Sequence, residues 1–86
     1  MKTEGFSSKK EMEEAVEATG AKFVTYQNRW LKIHYPDCGR LWMNGGGKAG
    51  YYAIHKTYAD AKKYADARDP DNWNCKICEK RHGKMN

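Results

Sequence analysis

The 86 residues include only two prolines and three cysteines, and nowhere do apolar positions run on for about 18 residues. The missing apolar run excludes a membrane-spanning helix. An odd number of cysteines cannot pair completely within one chain, which argues against a disulfide scaffold. Met1 to Ser8 lack the apolar stretch that directs secretion, so the expected setting is the reducing cytoplasm, where cysteines bind metal or stay free. A phosphate-binding loop is also missing: Gly45-Gly46-Gly47-Lys48 has the residue types of one without the spacing. No serine, histidine and carboxylate set stands out for catalysis, and a chain this short has little room for a closed active site. The expectation is a protein that is not an enzyme.

What is present suits one small domain. Aromatic residues make up 13% of the chain, too many for a disordered segment, although 31% of residues are charged. The net charge of +5 is unevenly placed. Residues 1–20 hold three lysines against five glutamates, residues 21–56 hold six basic groups against Asp37 alone, and residues 57–86 hold seven against five. The excess therefore lies beyond the first 20 residues and favours a polyanionic partner, either nucleic acid or an acidic protein surface.

The pattern of residues predicts an α+β fold of order α-β-β-β-β-α. Ser8 and Glu11 spell a helix-capping box, Met12, Ala15, Val16 and Thr19 recur at helical spacing, and Gly20 is placed to end the helix. Lys22–Tyr26, Arg29–Tyr35, Arg40–Asn44 and Tyr51–His55 read as strands separated by turn-forming residues and a glycine-rich loop. Short connections imply an antiparallel meander of three to four strands. Thr57 caps a second helix with Tyr58, Ala61, Tyr64 and Ala65 on its inner side, and Asp69-Pro70-Asp71 stops it. Residues 1–71 form the expected domain; residues 72–86 are a Cys-containing tail without periodicity.

That tail holds the sharpest motif, Cys75-Lys76-Ile77-Cys78-Glu79-Lys80-Arg81-His82, a C-x2-C-x3-H run. Zinc takes four ligands in a tetrahedron, usually thiolate or imidazole. Cys38 supplies a third thiol, and His82 is the expected fourth ligand. His34, four positions before Cys38, is the alternative. Either set would hold a structural zinc that ties residues 72–86 to the turn around Cys38. Against this stands a simpler reading, with Cys75 and Cys78 a free pair and Cys38 a small turn residue.

Strand alternation supplies the second candidate site. Trp30, Lys32 and His34 share one side of their strand, and Arg40 with Trp42, and Tyr51 with His55, occupy equivalent sides of theirs. If the helices pack on Leu31, Ile33, Leu41 and Ile54, an aromatic and basic face remains open. Arg29, Trp30, Lys32, Arg40, Trp42, Lys48 and Tyr51 would then bind nucleic acid, aromatics stacking on bases while cations meet phosphates. The same residue types dominate protein–protein hot spots, so a small regulator or inhibitor of a larger enzyme is the alternative.

Overall fold

The computed structural model describes residues 3–6, 8–27, 30–38 and 51–84. Helix α1 (Lys9–Thr19) starts where its cap predicts, with the Ser8 hydroxyl accepting from the Glu11 amide at 3.1 Å. Met12 and Ala15 point inward. Gly20 closes the helix at φ +74°, its amide donating to the Val16 carbonyl at 2.9 Å. A side chain in that left-handed conformation is strained, so Gly20→Ala is expected to cost about 1–2 kcal/mol although nothing crowds the added Cβ. Thermal unfolding followed by circular dichroism checks this, and an unchanged midpoint would refute it.

Three strands follow: β1 (Phe23–Gln27), β2 (Leu31–His34) and β3 (Tyr51–His55). Helix α2 (Tyr58–Arg68) comes next, capped by the Thr57 hydroxyl, which accepts from the Asp60 amide at 3.1 Å. Ala61 and Ala65 are its fully buried positions. Two further elements follow, strand β4 (Trp73–Asn74) and helix α3 (Lys76–His82). The described residues therefore form a four-stranded mixed sheet of order β3-β1-β2-β4 with three helices. No helix among the described residues is long and apolar enough to cross a membrane.

Three expectations change. First, the sheet is not an antiparallel meander: β1 lies between β2 and β3, antiparallel to both, and β4 joins the far edge of β2 in parallel. Second, residues 72–84 are not a loose tail. They supply a strand and a helix, and Cys75 and Cys78 belong to the same core cluster as Val24 and Leu31. A two-residue strand is too short to leave a periodic signal. The expected strand at Arg40–Asn44 lies outside the described residues.

Third, the faces of the strands combine differently. Residues paired across strands share a face, and the register sets Val24 opposite both His34 and Ile54, and Tyr26 opposite both Lys32 and Tyr52. Tyr51 and His55 thus share the other face with Leu31, Ile33 and Phe23. Helix α2 packs on this second face, where Tyr58 meets Phe23 and Tyr64 meets His55 at ring separations of 5.7 and 4.8 Å. The expected open face is therefore split between the two sides of the sheet. Both sides also hold fully buried side chains: Val24 and Tyr52 on one, Leu31 and Ile33 on the other. Alternation fixes the faces within a strand, but their combination depends on register, and a slip of one residue reverses it.

Candidate metal centre

Two chain segments meet beside the end of β2. The first is the turn Tyr35-Pro36-Asp37-Cys38, closed by the Cys38 amide donating to the Tyr35 carbonyl at 3.1 Å. Proline at the second position of such a turn has its φ already set. The turn folds the chain back so that Cys38 returns beside His34, the last residue of β2. The second segment is the junction of β4 and α3. The Cys75 amide donates to the Ile33 carbonyl at 2.8 Å, anchoring the junction to β2, and the Glu79 amide donates to the Cys75 carbonyl at 3.1 Å to close the first turn of α3. In that turn the C-x2-C spacing brings both sulphurs to the inner side of the helix.

His34, Cys38, Cys75 and Cys78 are all buried, and one donor atom from each lies within 4.8 Å of the others. Cys78 Sγ is 3.9 Å from His34 Nδ1 and accepts from the Tyr35 amide at 3.4 Å. A metal–sulphur bond of about 2.3 Å in a tetrahedron sets neighbouring sulphurs about 3.8 Å apart, so a contraction of about 1 Å would close the group round one ion. The cluster is compatible with a metal site, and the donor chemistry is soft: three thiols and an imidazole.

The electrostatics of the group fit the same use. Burial, assisted by the charge of Lys32, lowers the pKa of His34 to about 4, so its imidazole is neutral and able to ligate throughout the neutral range. Burial pushes the Cys78 thiol upward, the nearby Cys38 and Cys75 thiols add to the effect, and the Tyr35 amide opposes it. Without a cation the Cys78 thiol keeps its proton at neutral pH. As a plain apolar cluster, three thiols would pack acceptably. His34 Nε2 is buried with no hydrogen-bond partner among the described residues, an arrangement that costs about 1–3 kcal/mol unless that nitrogen meets an ion.

His82, the expected fourth ligand, is occupied elsewhere. Its Nε2 lies 3.0 and 3.1 Å from the two carboxylate oxygens of Asp37, and its ring sits 4.9 Å from that of Tyr35. It is exposed and braces the turn that carries Cys38, whereas His34 is inside the donor group. Spacing permitted both; burial on β2 separates them.

The expected binding residues are partly dispersed. Trp30 is 56% exposed just before β2, and its ring is 6.2 Å from that of Trp73. Lys32 is half-buried and places its Nζ 5.4 Å over the Trp73 ring. Tyr51 is exposed on the α2 side of the sheet, where the Arg68 guanidinium lies 5.4 Å over its ring. Arg29, Arg40, Trp42 and Lys48 lie outside the described residues. Trp73 meets Trp30 because β4 pairs with β2, Lys32 opposite Trp73. The chain matches no protein-family model, no curated protein and no solved structure.

Proposed function

We propose that this protein is a small nucleic-acid-binding module whose fold is held together by a structural zinc ion on His34, Cys38, Cys75 and Cys78. The observation that carries the zinc is the convergence of these four buried donors from two chain segments more than 35 residues apart. Four protein donors leave no open position for a substrate, so the ion's role is architectural rather than catalytic. Keeping three thiols reduced suits the cytoplasm. Nucleic acid as the partner is supported by the net charge of +5 and by the exposed Trp30 and Trp73 beside Lys32. The second reading, a regulator that docks on an acidic protein surface, draws on the same exposed tryptophans.

Native mass spectrometry of protein purified without chelator tests the metal: one zinc per chain is expected, released on acidification because protons compete for the thiolates. A bare mass with three reactive thiols would remove it. Binding to mixed-sequence nucleic acid that weakens steeply with salt supports the first function. A complex with one protein that persists after nuclease treatment supports the second.

A further inference from the structure

Large apolar side chains exposed among the described residues are Trp30, Tyr51, Trp73 and Ile77. Tyr51 is covered in part by Arg68. Of the other three, Trp30 meets Trp73 at 6.2 Å, and Ile77 follows Trp73 by four residues, in the first turn of α3. On α3 Lys76, Ile77, Lys80 and Arg81 are exposed, Lys76 and Lys80 on the side away from the buried Cys78 and Arg81 at its flank, with Lys84 just beyond the helix. Lys32 adds a cation directly over the Trp73 ring. Acidic groups near these residues include Glu79 on α3, Asp37, which is paired with His82 at the end of α3, and Asp69 and Asp71 beyond α2. Asp69 is already engaged, its carboxylate accepting from the Leu31 and Asp71 amides at 3.0 Å each.

We infer that Trp30 and Trp73 form a stacking platform for unpaired bases, with the strand's phosphates running along Lys76, Lys80 and Arg81 of α3. The inference rests on the nucleic-acid reading above and narrows it to single strands. Trp30 is 56% exposed and offers the main open face, with the 38%-exposed Trp73 beside it under Lys32 Nζ, and a base can use such a face only when its own is free, which pairing in a duplex denies. The cations lie on the α3 side and the aspartates Asp69 and Asp71 on the α2 side, so charge directs the backbone toward α3. The partner is defined by an anionic backbone with exposed bases, a chemistry that single-stranded DNA and RNA share. The proposed zinc ligands Cys75 and Cys78 lie between Trp73 and Lys80 in the chain, which would tie the geometry of this surface to the metal.

The test uses the full chain with zinc and three fluorescently labelled probes: oligo-dT and oligo-U of about 12 nucleotides, and a hairpin duplex of similar length. Both single strands are expected to bind and to quench tryptophan emission, with the hairpin weaker by about ten-fold or more. Trp30→Ala should weaken single-strand binding about ten-fold, the loss expected for one stacked base, while zinc content and circular dichroism stay unchanged. Replacing Lys80 and Arg81 together by glutamine should reduce the log–log salt slope by about 1.4, that is about 0.7 per cation removed. A preference for oligo-U would show that the 2′-hydroxyl is also read, and equal affinity that it is not; both uphold the platform. Equal binding of hairpin and single strands, or a Trp30→Ala variant of unchanged affinity, overturns the platform while leaving nucleic-acid binding standing. Failure of all three probes to bind at about 50 mM salt overturns both, and the protein-docking reading replaces them.

Discussion

Exchanging Cys78 for serine should abolish tight zinc binding and release α3 from the sheet. A serine hydroxyl cannot supply a thiolate at neutral pH, so one corner of the tetrahedron is lost. Cys78 is 1% exposed and sits where β2, the Cys38 turn and α3 meet, so its loss is felt by all three. Structural zinc contributes about 10–16 kcal/mol of apparent binding free energy in zinc-finger peptides, comparable with the whole stability of an ordinary domain. Even a loss of about 3 kcal/mol would lower the unfolding midpoint of a chain this size by about 12–24 °C. Differential scanning calorimetry of wild type, wild type with chelator, and Cys78→Ser checks it: the last two should coincide, well below the first. Equal midpoints in all three would show that no metal supports the fold.

The metal-free protein carries its own pH signature. The folded pKa of His34, about 4, lies below its ordinary 6.5, so on acidification the unfolded state takes up the proton first. Stability from this group is fully present above pH 6.5 and is lost as pH falls toward 4, a change on the order of 3 kcal/mol. Cys78 acts at the other end: its folded value is raised above 9, so its contribution holds below pH 9 and declines above it. The chelated protein should therefore be most stable between these limits.

The second large effect separates the two histidines. His34→Asn should lower zinc affinity more than 100-fold, because it removes a ligand rather than a group that positions one. His82→Gln should lower it only about ten-fold, through a looser Asp37 and hence a looser Cys38 turn, at the lower end of the effect of outer-sphere partners. Competition with a chromophoric chelator measures both. The opposite ranking would return His82 to the coordination sphere and reduce the His34 burial to ordinary packing. Cobalt substitution offers an independent readout: the thiolate-to-metal bands expected of three sulphur ligands should survive His82→Gln in position and intensity.

How much of this was legible depends on the range of the interaction. Helix α1 was readable because its cap, stripe and stop lie within 13 residues: Ser8 bonds Glu11, Met12 and Ala15 fall on one side, and Gly20 closes the end. Strand β3 was readable to its boundaries, Tyr51–His55, from β-branched and aromatic residues next to a helix cap. The C-x2-C pair was readable because one helical turn sets its geometry. Strand β4 was not, since Trp73 and Asn74 become a strand only through pairing with Lys32 and Ile33 some 40 residues earlier. The division of roles between His34 and His82 was equally hidden, because one is distinguished by burial beside Val24 and the other by a carboxylate across the turn.

By itself, then, the sequence determined the α+β class, the limits of α1 and α2, the metal-ligand candidates and the basic excess, all of which follow from residue type and spacings of a few positions. Only the tertiary structure decided that β1 is central, that β4 runs parallel to β2, that His34 joins the three thiols, and that Trp30 meets Trp73. Those outcomes turn on strand register and on which groups lose water together, and both are set by contacts between segments far apart in the chain.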